Sequence, residues 1–223
     1  MDRSLNLGVD EMGEVNLVQK IAIIIMFILA MLPVVGLPVS GLTVFLGIIF
    51  YIVVNMKDKK DGFRDFDPRA GYGHLTNKSI RGWIFLPATI NILVFLLVST
   101  FVPDFLAHVA DRTFSAVSGG VFLAIIQLPI AALGEELAWR GFFQQKTTKL
   151  LDAPWGIIIT SLAFALAHFT PSANLGLVSL DLLLVFINSV IYGVVYYKTK
   201  NAVLSSLSHL SANFVAIVLL VFF

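Results

Sequence analysis

The sequence predicts an all-α, polytopic integral membrane protein. Of its 223 residues, 58% are hydrophobic and 13% are charged, whereas a soluble domain of this size carries about 25% charged residues. Most of the charges stand between long apolar runs rather than within them. A helix that spans a bilayer needs about 20 mostly apolar residues, so we expect about seven transmembrane helices. Because of Pro129 and a short first hairpin, a count of six or eight transmembrane helices is also possible.

The apolar runs divide a single transmembrane domain, residues 1–223, into three parts. Residues 1–20 mix acidic and basic side chains and are predicted to form a cytoplasmic tail. Residues 21–116 hold three spans, a basic cytoplasmic loop (55–82) and a short loop (103–116), in which we expect His108 to have no special role. Residues 117–223 hold the remaining helices. The predicted spans are 21–35, 39–54, 83–102, 117–145, 155–169, 177–196 and 202–223.

Charge predicts the orientation and excludes some partners. With the N-terminus in the cytoplasm, 14 of the 15 Lys and Arg residues lie in internal segments and one, Arg112, lies outside, as the positive-inside rule requires. We therefore expect a multi-pass protein of the cell membrane. The net charge of +1 gives no case for a nucleic-acid partner, and the absence of cysteine excludes disulfides and thiolate metal sites.

The stretch from Gly134 to Gly141 places two carboxylates and a guanidinium at the end of an apolar run. Each ionisable side chain deep in a bilayer costs at least about 2.5–3.5 kcal/mol, so such residues indicate a functional site. Glu136 and Arg140 are four residues apart on a helix and can pair, while Glu135 points about 100° away from them. Glu135 is therefore the carboxylate that needs another partner.

Three further polar residues are predicted at the depth of Glu135. At 1.5 Å per residue, Glu135 lies about 15 Å from the cytoplasmic boundary, His168 about 20 Å, His209 about 10 Å and Asn213 about 16 Å. A lone histidine such as His168 can simply bind a backbone carbonyl. The pair His209 and Asn213, with four serines nearby, can equally be polar contacts between helices. Their convergence in depth favours a site.

These residue types suit hydrolysis of a peptide bond. A carboxylate and an imidazole in a low-dielectric cavity can hold and activate a water as general base, and an imidazole with an amide NH₂ can donate to an oxyanion. Two histidines and a glutamate also match catalytic zinc sites. The residue types therefore leave open a zinc ion bound by Glu135, His168 and His209.

Three motifs in this order resemble the CPBP family, also called the Abi or CAAX-protease and bacteriocin-processing family. They are Glu135-Glu136-x-x-x-Arg140, Phe164-x-x-x-His168 and His209-x-x-x-Asn213. The resemblance covers about residues 117–223. This part of the chain is similar to type II CAAX prenyl endopeptidases. It implies an intramembrane endopeptidase in which Glu135 and His168 activate water and His209 and Asn213 form the oxyanion site. Glu136 and Arg140 would support that geometry, and the implied glutamate-type mechanism favours no cofactor, although zinc stays open.

Two classes of function follow from this reading. The first is a protease acting on a peptide or lipid-associated protein substrate, in bacteriocin immunity or in processing of peptide signals. The second is a non-catalytic immunity or peptide-binding membrane protein that uses the same polar residues as a core network. A transporter is less favoured because no inverted repeat or pair of broken helices is evident in the sequence.

Overall fold

The computed structural model describes residues 15–57, 66–115 and 120–222, and every regular element in these ranges is helical. The predicted all-α class is confirmed. A 3₁₀ turn, Leu32–Val35, follows the first helix, and a π-helical segment, Leu137–Gln144, lies between the sixth and seventh. The helices are α1 Leu17–Met31, α2 Ser40–Lys57, α3 Pro68–Leu75, α4 Lys78–Phe101, α5 Pro103–Ser115, α6 Gly120–Glu136, α7 Gln145–Leu151, α8 Ala153–Ala167, α9 Leu175–Thr199 and α10 Ala202–Phe222.

Within the described ranges, four helical segments are long and apolar enough to cross a membrane by length and composition: Leu17–Val35, Lys78–Phe101, Leu175–Thr199 and Ala202–Phe222. Ser40–Val54 and Ala153–Ala167 are shorter apolar helices. Large apolar side chains cover the outer faces of these helices, as expected for surfaces that face lipid. The chain is thus a membrane protein, while seven spans and a cytoplasmic N-terminus stay predictions. Residues 1–14 of the predicted tail lie outside the described residues.

The prediction of a short loop at 103–116 was wrong, because most of this segment is helix α5. Pro103 occupies the first position, where the missing N–H is not needed. Asp104 lies in the first turn and Arg112 in the last, so each charge interacts favourably with the helix dipole at its own end. The short apolar stretches of this amphipathic helix had been too weak to indicate a helix.

The predicted basic loop is also partly helical. Within it, α3 begins after Asp67, whose side chain accepts from the N–H of Arg69 at 2.8 Å. The next helix begins at Lys78, five residues before the predicted span, because Asn77 caps it through the N–H of Ser79. Residues 58–65 of the loop lie outside the described part of the chain.

The expected continuous α-helix through the charged motif is interrupted. The N–H of Gln145 donates to the carbonyl of Arg140, five residues back, as in a π-helix. This segment is almost wholly buried and packs against α1, α2 and α8 in the main hydrophobic core. The wider turn changes the direction in which the residues after Glu136 point.

Two glycines allow the π segment to approach α2 closely. A Cβ on Gly47 would lie 2.6 Å from the Cβ of Ala138, and a Cβ on Gly141 would lie 2.8 Å from the ring of Tyr51. Real Cβ atoms do not approach so closely, so any larger residue requires the two helices to move apart. The core that carries Glu136 and Arg140 therefore depends on the absence of side chains at these positions.

The remaining helices place three chain segments around one space. α10 packs along α4, α6 and α9, while α8 packs against α9 and α7. The C-terminal end of α6 therefore meets the C-terminal end of α8 and the middle of α10. These are the parts of the chain that carry the three predicted motifs.

Candidate active site

Glu136 is the buried centre of a polar cluster at the end of α6. Arg140 Nε lies 3.3 Å from its Oε2, and both side chains are fully buried. Ser205 donates its hydroxyl to Oε2, and His209 Nδ1 lies 3.1 Å from Oε1. The structure therefore contains the Glu136–Arg140 ion pair expected from the sequence and adds two partners from α10.

Arg140 is held on its other side by α9 and by aromatic rings. Its Nη2 donates to both the carbonyl and the hydroxyl oxygen of Ser189, each at 2.9 Å. The guanidinium carbon lies 4.8 Å from the ring centre of Phe164 and 5.6 Å from that of Tyr192, within the range of cation–π attraction. A buried charge is tolerated here because it is paired and hydrogen-bonded.

Glu135 faces both predicted histidines. Its Oε2 lies 3.8 Å from His168 Nε2 and 4.0 Å from His209 Nε2. These distances are too long for direct hydrogen bonds and are of the size that one bridging water can span. The structure thus brings together three side chains from α6, the end of α8 and α10.

The hydrogen-bond partner of His168 assigns its tautomer. His168 lies just after α8, and its Nδ1 is 2.8 Å from the carbonyl oxygen of Phe164. A carbonyl only accepts, so Nδ1 carries the proton and, in the neutral ring, Nε2 is an acceptor. Two acceptors, His168 Nε2 and Glu135 Oε2, therefore face each other. A proton or a water that donates to both would relieve this contact.

His209 is fixed by a similar contact and by stacking. Its Nδ1 donates to the Glu136 carboxylate, which leaves Nε2 towards Glu135. The ring stacks on Tyr192 with centroids 4.6 Å apart and an interplanar angle of 19°. Phe164 packs against its edge at 5.8 Å. The orientation of this imidazole is thus determined by three neighbours on three different elements.

The three side chains open into one cavity of about 780 Å³. Asn213, the fourth predicted residue, is half-buried and also lines this cavity. Apolar side chains of α4, α5, α9 and α10 form most of the remaining wall. The cavity therefore combines a polar end with an apolar body, as binding sites for small or extended ligands usually do.

The donor set can be compared with a zinc site. Zinc holds nitrogen and oxygen ligands at about 2.0–2.1 Å in a tetrahedron, which places ligand atoms about 3.3 Å apart. The distances of 3.8 and 4.0 Å around Glu135 are wider. In the part of the chain that the structure describes, no group of three or more His, Cys, Asp or Glu side chains is arranged to hold a metal ion. The residue types suit zinc, but their present spacing does not.

Helix α9 supplies site residues that the sequence analysis missed. Ser189 binds Arg140, Tyr192 stacks on His209, and Asn188 lines the cavity and binds Asn91 of α4. Asp181, on the same helix, is buried and pairs with Arg112 at 2.8 Å. The charge of Asp181 within an apolar span is a signal visible in the sequence. Helical spacing from Asp181 would have predicted that Asn188 and Tyr192 lie on the same face of α9.

The contact of His108 also differs from the prediction that it has no special role. Its Nε2 lies 3.4 Å from Oδ2 of Asp181, beside the guanidinium of Arg112. This cluster fastens α5 to α9, and Arg112 and Asp181 also line the cavity. His108 therefore lies beside a buried ion pair rather than in a loop.

Residues 117–215 match the family model described as type II CAAX prenyl endopeptidase Rce1-like. The match covers less than half of the chain and supports an assignment of this segment to the CPBP family of CAAX-type proteases. The matched segment contains the four predicted cavity residues and both supporting residues, while residues 1–116 and 216–223 lie outside it. No curated protein and no solved structure matches the chain significantly. The family supports an intramembrane CAAX-type endopeptidase in general terms.

Proposed function

We propose that this protein hydrolyses a peptide bond within the membrane by using a water activated by Glu135 and His168. The observation that carries the proposal is the approach of Glu135 Oε2 to both imidazole Nε2 atoms, at 3.8 and 4.0 Å. A water that donates one hydrogen to Glu135 and the other to His168 would satisfy both acceptors. Its oxygen lone pairs would then be directed away from them, towards a substrate carbonyl.

The reaction follows from these positions. The water oxygen bonds to the carbonyl carbon while Glu135, assisted by His168, takes a proton from the water. The carbonyl oxygen becomes an oxyanion. The carbon–nitrogen bond then breaks, and the same proton passes to the leaving amine, so atoms and charge balance. General-base assistance of this kind contributes about 10²–10⁴ in rate.

His209 and Asn213 are proposed to bind the oxyanion. With protons on both ring nitrogens, His209 donates Nδ1–H to Glu136 and presents Nε2–H to the cavity. Asn213 adds an amide N–H from the same wall of the cavity. One donor of this type is worth about 10²–10³ in kcat.

The reaction is proposed to need no metal. The support is the spacing around Glu135, which is wider than that of zinc ligands and suits a water between the side chains. Glu136 and Arg140 are proposed to act only by positioning His209 and the end of α6.

The proposed substrate is a peptide or a lipid-associated protein that reaches the cavity with an apolar portion. Its support is the wall of the cavity, which is mostly apolar away from the four polar residues. Bacteriocin immunity and processing of peptide signals are two settings in which such a cleavage would serve the cell. In either one, the protein would lie in the cell membrane with its N-terminus in the cytoplasm.

The substitution Glu135→Gln tests the proposal, because it keeps the shape of the side chain and removes the base. Purified protein in proteoliposomes would be assayed with a fluorogenic peptide selected by cleavage from a random library. We expect the variant to lose at least 100-fold in kcat. The matched control is Ser211→Ala, which removes a hydroxyl that donates to backbone carbonyls on α10 and α4. Undiminished cleavage by Glu135→Gln would show that Glu135 is not the base. Unchanged protection of cells by this variant at matched expression would favour the non-catalytic function.

A further inference from the structure

Asn188 lies on the face of α9 that lines the cavity. The lining residues of this helix include Asp181, Leu184, Val185, Asn188 and Tyr192, a spacing that places them on one face. Asn188 is one turn from Tyr192, which stacks on His209. Asn188 therefore lines the same cavity as the proposed catalytic residues.

A chain of hydrogen bonds determines which way this amide points. Asn91 Nδ2 donates to the carbonyl oxygen of Ala212 at 3.1 Å. Because a carbonyl only accepts, the amide oxygen of Asn91 must be the atom that faces Asn188. Asn188 Nδ2 donates to that oxygen at 3.0 Å. The remaining atom of Asn188, Oδ1, is thus assigned as an acceptor.

Among the residues that the structure describes, this acceptor has no hydrogen-bond partner. Two buried side-chain acceptors that lack a hydrogen bond within the described ranges belong to residues of the cavity wall, Glu135 Oε2 and Asn188 Oδ1. Gln144 Oε1 also lacks one, but Gln144 does not line the cavity. An unpaired buried acceptor destabilises a protein, so its retention beside the cavity is explained if a ligand supplies the donor.

We propose that Asn188 Oδ1 accepts a hydrogen bond from a backbone N–H of the peptide substrate. The inference rests on the proposed function and names a contact of the same site. An N–H of the main chain is the donor that every extended peptide presents, whatever its side chains. The contact would therefore select an extended backbone and leave the choice of side chains to the apolar wall.

The position of Asn188 indicates which N–H is bound. Four residues of helix separate it from Tyr192, or about 6 Å along the axis. An extended peptide advances about 3.3 Å per residue. The bound N–H therefore lies roughly two residues from the scissile bond, on the side of the cavity towards Asp181. Asn91 connects this contact to the proposed oxyanion site, because it donates to the carbonyl oxygen of Ala212, the residue before Asn213.

N-methylation of the substrate tests this contact. The cleavable fluorogenic peptide would be synthesised with one backbone nitrogen methylated at a time, for three residues on each side of the scissile bond. Each peptide would be assayed with the unsubstituted protein and with Asn188→Leu, which has a similar size and no acceptor. We expect methylation at one position, about two residues from the scissile bond, to raise KM about 3- to 10-fold in the unsubstituted protein. The same methylation should have no effect on Asn188→Leu.

Controls separate binding from packing and from catalysis. Ser211→Ala removes a hydroxyl contact between α10 and α4 but leaves the Asn91–Asn188 pair in place, so sensitivity to the methyl group should persist. Asn188→Ala replaces the leucine variant if that protein is not recovered folded. Equal effects of every methyl group on the unsubstituted protein and on Asn188→Leu would overturn the inference. Full activity of Glu135→Gln would instead overturn the proposed function, so the two failures are distinct.

Discussion

His209 Nδ1 lies 3.1 Å from Glu136 Oε1, and this contact joins two of the three motifs through a buried carboxylate. Glu136 thereby directs the other ring nitrogen of His209 towards the neighbouring Glu135. The two adjacent glutamates thus have different roles. Glu136 makes structural contacts with Arg140, Ser205 and His209, and Glu135 lines the cavity. The predictions below test this division.

Removal of the Arg140 charge should destabilise the fold. Arg140→Met removes the guanidinium that pairs with buried Glu136, and breaking a buried ion pair in this way costs about 3–5 kcal/mol. Stability would be measured by unfolding in mixed micelles. The double variant Arg140→Met with Glu136→Gln should recover part of the loss, because no unpaired charge remains. Additive losses would contradict the pairing.

Loss of the Asn213 amide should impair catalysis rather than folding. Because its proposed N–H acts only on the oxyanion, Asn213→Leu should lower kcat about 10²–10³-fold. KM should change little, since the ground-state carbonyl is bound less strongly than the oxyanion. Steady-state kinetics of the reconstituted enzyme would show this split. An effect confined to KM would place Asn213 in substrate binding instead.

The close approach of α2 and the π segment should be sensitive to a single methyl group. A Cβ at residue 47 would lie 2.6 Å from that of Ala138, so Gly47→Ala should destabilise the protein by about 1–3 kcal/mol through overpacking. Gly82→Ala on α4 is the control, because a Cβ there has no heavy atom within 4 Å. That change should be neutral or stabilise by up to about 1 kcal/mol. Similar stabilities for the two variants would argue against a tight contact.

The ionic cluster that fastens α5 should contribute to stability. Asp181 accepts two contacts from Arg112, at 2.8 and 3.0 Å, and its side chain is only 4% exposed. Asp181→Ala should therefore cost about 3–5 kcal/mol, because it leaves a partly buried guanidinium without its carboxylate. The exposed Asp104 of α5 provides the comparison, as Asp104→Ala should change stability by less than about 0.5 kcal/mol. Hydrogen exchange of α5 would locate the effect.

A metal-free reaction should survive chelation. After dialysis against a strong zinc chelator, we expect the unsubstituted protein to retain its rate of peptide cleavage. Metal analysis of the detergent-purified protein would accompany the assay. Loss of activity that added zinc restores would contradict the proposed mechanism, and Glu135, His168 and His209 would then be the ligands to examine.

The sequence alone determined the membrane class and predicted the motif residues of the candidate site. Burial of apolar side chains in lipid depends on the composition of each segment, so long apolar runs identified the helices without knowledge of their neighbours. The cost of charge in such segments singled out Glu135, Glu136 and Arg140. Helical spacing then predicted the pairing of Glu136 with Arg140, which the structure contains at 3.3 Å.

Only the tertiary structure decided which side chains meet. Whether His168 and His209 face Glu135 depends on how each helix is rotated and where it ends, and these are determined by packing contacts such as the stacking of His209 on Tyr192. The π segment redirects the chain after Glu136, and no local pattern had indicated it. Asp181 and Asn188 acquired partners on α5 and α4 for the same reason. Hydrophobicity is a property of each segment, whereas a site is a property of how the segments pack.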